Sequence, residues 1–221
     1  AHHNLALALR ELGKFDLAIQ SHEMAIKYEP QNSIHYFRLG NIHQDLSDFD
    51  EAILCYQRAI EQDSQFMAPL VNLGNALLEN RDYEQAIAVS QTAIDMVPQC
   101  TEALSNLGQA YIKLGRLVDA NNVLIKTLEY APQNLEFKNN YGVVQQLIGD
   151  IESAIETFKS VLELDPNCRP AARNLKIAVL NSPSWKSQQL FDLQKSLVKK
   201  FIKNSNANKT SFAFDKFSLE F

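Results

Sequence analysis

One skeleton of small and apolar residues returns every 34 residues along this chain, and few folds can satisfy such a period. Between Leu107 and Pro132 the landmarks are Leu107-Gly108, Tyr111, Gly115, Ala120, Leu124 and Pro132. One period upstream they are Leu73-Gly74, Leu77, Arg81, Ala86, Ser90 and Pro98, and one period downstream Tyr141-Gly142, Gln145, Gly149, Ala154, Phe158 and Pro166. Little glycine or proline interrupts the intervals, so the pattern spells helix, tight turn, helix, stop. Units of this length stack because a single helix pair cannot bury its own apolar face. The expected fold class is all-α, a solenoid of helix-turn-helix repeats.

Placing each stop at Pro30, Ser64, Pro98, Pro132 and Pro166 divides the chain into units 1–32, 33–66, 67–100, 101–134 and 135–168. The first lacks two leading residues but keeps register through Leu5, Ala6, Gly13, Ala18 and Ala25. Within a unit the first helix is expected at about positions 2–14 and the second at about 18–31, as judged by apolar spacings of three and four such as Phe49, Ala52, Ile53, Tyr56 and Ile60. Gly40, Gly74, Gly108 and Gly142, with Ala18, Ala52, Ala86, Ala120 and Ala154 on the partner helix, occupy places where bulk would force a pair apart. Gly13, Gly115 and Gly149 fall just past a helix end, where a left-handed residue closes the turn. Glu51, Glu84 and Glu152 open second helices, matching the positive helix terminus.

Residues 169–180 copy a first helix, and residues 185–203 space Leu190, Phe191, Leu193, Leu197, Val198, Phe201 and Ile202 as a capping helix. Residues 204–221 then change character, from a polar linker to alternating Phe212, Phe214, Phe217, Leu219 and Phe221. This tail either docks on the solenoid, its own or a neighbour's, giving self-association, or opens a following segment. Charge divides in the same way. Residues 183–221 carry seven lysines against Asp192, Asp215 and Glu220, a net +4 within an overall −5, which leaves −9 on the body. An acidic body lacks the positive footprint that phosphate backbones require, so nucleic acid is not an expected partner.

Composition narrows the setting. The chain is 46% hydrophobic with only 7 Gly and 7 Pro, values of a folded body. Cys55, Cys100 and Cys168 show neither CxxC nor Cys/His ligand spacing, and their odd number argues against a secreted disulfide framework; a reducing, cytoplasmic compartment is expected. No apolar run of about 18 residues and no signal peptide is present, so neither a membrane span nor secretion is expected.

The repeated landmarks resemble the tetratricopeptide-repeat (TPR) consensus over about residues 1–180. That resemblance implies a right-handed superhelix whose first helices line a concave groove, and whose usual work is to hold peptides or partner proteins. Position 6 of the first helix faces the groove in this family. Here it reads Asn4, Arg38, Asn72, Asn106, Asn140 and Asn174. A carboxamide pairs with both the N–H and the C=O of a peptide unit whatever the side chain. The row is similar to the asparagine ladder of O-linked N-acetylglucosamine transferases, where such side chains hold substrate backbone; Arg38 departs from it. Two readings stand: the amides grip a ligand, or they bond neighbouring helices.

Position 9 adds Asn41, Asn75 and Gln109 to this surface, and position 13 adds Glu11, Asp45 and Glu79 before Lys113. The acidic half would favour a ligand carrying Lys or Arg, or is an ordinary solvated face. TPR proteins that clamp chaperone C-termini use Lys and Arg at positions 2, 5 and 6. Positions 2 and 5 here read Ile34, Ala68, Glu102, Glu136 and Phe37, Val71, Ser105, Asn139, so that clamp is absent.

Catalytic patterns are lacking. His35 and His43 have no cysteine or carboxylate at ligand spacing, and His22 takes a place normally held by a packing aromatic. No phosphate loop, GxSxG or dinucleotide fingerprint occurs, so no enzyme, metal or cofactor is expected in this chain. The reading is a non-catalytic peptide-binding scaffold or, alternatively, the substrate-recognition region of a larger transferase.

Overall fold

A computed structural model describes residues 13–184, which form α-helices joined by short turns. The chain divides into two compact units, Ala1–Pro132 and Gln133–Phe221. The first holds α1 (Phe15–Tyr28), α2 (Ser33–Asp45), α3 (Phe49–Gln62), α4 (Met67–Glu79), α5 (Tyr83–Met96), α6 (Thr101–Lys113) and α7 (Leu117–Tyr130). The second holds α8 (Leu135–Leu147), α9 (Ile151–Leu164) and α10 (Arg169–Asn181). Asn4, Glu11, the expected capping helix at 185–203 and the tail at 204–221 lie outside the described residues.

From α1 to α9 each helix begins and ends one residue earlier in its period than the apolar spacing predicts, whereas α10 begins at the expected Arg169 and runs one residue past the expected 180. Proline accompanies four of the second-helix ends, while Asp63 ends α3 at ψ 96° before Ser64 without one. Glu29, Val97, Ala131 and Asp165 each precede a proline, whose ring disfavours helical geometry in the preceding residue, and all four have ψ between 66° and 97°. At the starts, the residue before each first helix is extended, and where it is asparagine its side chain caps. Asn134 Oδ1 accepts from the backbone N–H of Glu136 and Phe137 at 3.0 and 3.1 Å, and Asn32 Oδ1 from Ile34 at 3.2 Å.

The turn inside each pair needs one left-handed residue. Gly13, Gly115 and Gly149 supply it, with φ of 69°, 71° and 92°. Ser47 and Arg81 hold the same place at φ of 60° and 66° although they carry a Cβ, which costs about 1–2 kcal/mol in this region. Arg81 is exposed, so Arg81→Gly should relieve strain and lose little contact. We expect it to raise stability by about 0.5–1 kcal/mol after allowing for the greater unfolded-chain entropy of glycine, read as a higher urea midpoint.

In the first unit each helix packs on the next, and the first helices α2, α4 and α6 also touch in succession. One buried cluster joins Ala52, Ile53 and Tyr56 of α3 to Leu73, Ala76 and Leu77 of α4. Another joins Leu70, Ala93, Ile94, Leu104 and Leu107. In the second unit Ile155, Phe158, Val161 and Leu162 of α9 meet Leu175, Ala178 and Val179 of α10. The five alanines expected at close approaches, Ala18, Ala52, Ala86, Ala120 and Ala154, are fully buried.

The helical glycines behave less uniformly than their shared register suggests. A Cβ at Gly142 would stand 2.6 Å from Phe158 Cε1, and one at Gly40 would stand 2.7 Å from Tyr56 Cε1. At Gly108 the nearest atoms belong to Leu124, at an ordinary 3.4 Å. The expectation that bulk is barred at all four is therefore corrected at Gly108. At Gly40, Gly108 and Gly142 the nearest neighbour is the residue 16 places later, aromatic at two and leucine at the third; at Gly74 Ser90 Oγ shares that place with Asn106 Nδ2, both at 3.1 Å.

Cys55 lies in the α3 core, and burial pushes its thiol up from an ordinary 9.0 to about 12. The thiolate is disfavoured when folded, so this stabilising preference is complete below pH 9 and is lost as pH rises toward 12. Cys55→Ala should flatten the alkaline limb of the stability profile, and Cys55 should resist iodoacetamide until the protein unfolds.

Candidate functional site

Residues three and four apart share a helix face, which generates three polar stripes in the first unit. They are Ile34, Arg38, Asn41 and Asp45 on α2; Ala68, Asn72, Asn75 and Glu79 on α4; and Glu102, Asn106, Gln109 and Lys113 on α6. Side-chain bonds show that the stripes adjoin. Asn72 Nδ2 donates to Asn41 Oδ1 at 2.8 Å, and Gln44 Nε2 donates to Asn75 Oδ1 at 3.0 Å. The hydroxyl of the fully buried Tyr56 lies 2.8 Å from Asn41 Oδ1 and 2.7 Å from Gln44 Oε1, its single proton shared between the two acceptors.

The remaining amides are committed differently. Asn106 is only 6% exposed and donates to the Val71 carbonyl at 3.0 Å. Gln109 Nε2 donates to Ser105 Oγ within its own helix at 3.3 Å. In the second unit Asn174 Nδ2 donates to Asn139 Oδ1 at 3.1 Å rather than to Asn140, which is half-buried on α8. Bonding between neighbouring first helices thus engages Asn72, Asn106 and Asn174 in the two units.

This use does not exhaust the amides of α2 and α4. A carboxamide has two N–H donors and a carbonyl with two lone pairs. Asn41 keeps its NH₂ group, Asn75 keeps its NH₂ group, and Asn72 keeps its carbonyl and one N–H; all three are half-buried. Sequence reasoning missed Gln44 and Tyr56, the two residues that hold this set in place. Gln44 follows Asn41 by three, which was a legible sign; the hydroxyl of Tyr56 gave none, because an aromatic at its place reads as packing.

Charge along the stripes is uneven. Asp45, Glu79 and Lys113 are exposed at the C-terminal ends, whereas Arg38 is half-buried. Two histidines pack together: His22 is 1% exposed with its ring 6.1 Å from that of His35, and His35 Nε2 lies 3.2 Å from Glu29 Oε2. Hydrogen bonds from Asn32 and His35 hold the Glu29 carboxyl below its usual range. Among the described residues no group of three His, Cys, Asp or Glu is placed to hold a metal, and no helix is long and apolar enough to cross a membrane.

Paired helices repeating every 34 residues, with polar stripes on adjoining first helices, define an all-α helical-repeat protein. Models of the tetratricopeptide repeat match residues 1–33, 34–66, 55–88, 77–136 and 115–177. The chain belongs to the tetratricopeptide-repeat family. No curated protein sequence matches it. Solved structures do: MamA from Desulfovibrio magneticus RS-1, at 18% identity and a TM-score of 0.71, over 76% of this chain and 95% of that one. A repeat protein from Parabacteroides merdae is similar at 17% identity and a TM-score of 0.74, over 95% and 79%. YrrB, described as a TPR protein with an unusual peptide-binding site, is 20% identical with a TM-score of 0.64, over 86% and 98%. At such identities the likeness shows the fold.

Proposed function

We propose that this chain is a non-catalytic protein-interaction scaffold, and that the α2–α4 face binds an extended peptide through its backbone. One observation carries the reading: Asn41, Asn72 and Asn75 are held by Tyr56, Gln44 and one another while each keeps bonding groups to spare. Holding the side chains in advance lowers the entropy lost when a ligand is bound. YrrB, of the same fold, is described as having a peptide-binding site. The cytoplasmic setting belongs to this reading, as does self-association through residues 212–221. The alternative, a recognition region within a larger transferase, draws on the same amides.

The test uses peptides selected from a random library on the whole chain and titrated by fluorescence anisotropy. Asn72→Ala and Asn75→Ala should each weaken binding by about 0.5–1.5 kcal/mol, with unchanged helical circular dichroism. Equal affinity for the variants and the parent protein would overturn the reading.

A further inference from the structure

We infer that Ser90 is a positioning residue: the space it leaves between α4, α5 and α6 lets Asn106 withdraw inward, so that within the first unit the asparagines available to a ligand stop at α4. This rests on the peptide-binding reading and sets the length of ligand backbone that the face holds. In successive repeats the residue 16 places after the helical glycine is Tyr56, Ser90, Leu124 and Phe158. Ser90 alone of these is small, and it is 1% exposed.

The surroundings of the glycines show what takes the vacated space. A Cβ at Gly40 or Gly142 would meet an aromatic ring, and one at Gly108 would meet Leu124. At Gly74 it would stand 3.1 Å from both Ser90 Oγ and Asn106 Nδ2, so the amide of Asn106 reaches the spot that a large side chain covers in the other repeats. The asparagine 16 places further on follows suit. Asn72 after Tyr56 and Asn174 after Phe158 are half-buried, whereas Asn106 after Ser90 is 6% exposed.

Volume, not polarity, draws the amide in. Ser90 Oγ has no hydrogen-bond partner among the described residues, so the hydroxyl does not hold Asn106. The bond that Asn106 makes is to the Val71 carbonyl of α4, at 3.0 Å, which satisfies a buried donor. A larger side chain in place of Ser90 would occupy that room and turn the amide outward, as at Asn72. First helices roughly 8–10 Å apart and an extended rise of about 3.3 Å per residue put one amide station at about every third ligand residue. The face therefore holds two stations, on α2 and α4, and regains a third only if Asn106 is released.

The experiment begins on the whole chain without ligand. By ¹⁵N NMR the Asn106 side-chain NH₂ should exchange with solvent about tenfold more slowly than that of Asn72, as expected of a buried, bonded amide. Ser90→Leu, which copies Leu124 of the next repeat, should bring the two rates together; Ser90→Val makes the same test with less added bulk should Ser90→Leu fail to fold. Ser90→Ala, which removes the hydroxyl without adding volume, should keep the parent rates. A selected peptide of about ten residues, long enough to span three stations, then reads the face by anisotropy. Asn106→Ala should change its affinity by less than about twofold in the parent protein and by about 2- to 12-fold in the Ser90→Leu background. Equal exchange of Asn72 and Asn106 in the parent protein, or an Asn106 that stays protected in Ser90→Leu and Ser90→Val, overturns the assignment. So does a released Asn106 whose removal leaves affinity unchanged, while weakening by Asn72→Ala would still uphold backbone binding; if no peptide binds the parent chain, both readings fall.

Discussion

Phe158→Ala should remove about 3–5 kcal/mol of stability, the cost of deleting a fully buried ring. Phe158 is 0% exposed and belongs to the cluster that joins α9 to α10 through Ile155, Val161, Leu162, Leu175 and Ala178. Its ring also lies against the Gly142 backbone of α8, so it contacts α8 while belonging to the cluster shared with α10. The cavity left by alanine would be bounded by helix backbone on one side, which relaxes less readily than side chains. Urea unfolding followed by helical circular dichroism measures the loss. A change under about 1 kcal/mol, the size of an ordinary surface substitution, would show that the ring is not clamped as the structure has it.

Gly142→Ala should be the second large effect, destabilising by about 1–3 kcal/mol through overpacking. The new Cβ would meet Phe158 Cε1 at 2.6 Å and Cδ1 and Cζ at 3.0 Å, and a fully buried ring has no open space into which to swing. Gly108→Ala is the control, since its Cβ would meet Leu124 at an ordinary 3.4 Å. There the better helix propensity of alanine should dominate, giving about 0.5–1 kcal/mol of added stability. The two substitutions are chemically identical and occupy the same place in the repeat, so opposite signs would isolate the facing residue as the cause. In a Phe158→Ala background the Gly142→Ala penalty should disappear. Additive costs would mean that the two sites do not touch.

The candidate face was legible only in part. Asn41, Asn72 and Asn75 could be placed on one surface because helical spacing alone puts residues three and four apart on a common side. What the spacing could not reveal was how each amide divides its bonds. Asn72 and Asn106 occupy the same place in successive repeats, yet Asn72 bonds the side chain of Asn41 and stays half-buried, whereas Asn106 turns to the Val71 carbonyl and is nearly covered. Both α2 and α4 carry an amide at position 9, but Asn41 Oδ1 accepts from Asn72, whereas Asn75 Oδ1 accepts from Gln44 and Asn106 bonds backbone instead. Arg38 stood out in the sequence as a break in the row; that its Nε is buried with no hydrogen-bond partner among the described residues emerged only from packing.

By itself the sequence determined the period, the all-α class, the pairing of helices and the left-handed turn, all of which depend on residues close together in the chain. Gly115 and the stop at Pro132 act through their own backbone angles, and those do not depend on what lies across the interface. Tertiary structure alone decided which glycines are indispensable and which amides remain available to a ligand. Both depend on contacts 16 or 31–35 residues away, where the repeat keeps the position but varies the side chain: Tyr56, Ser90 with Asn106, Leu124 or Phe158 against a glycine, and Asn41 or the Val71 carbonyl against an asparagine.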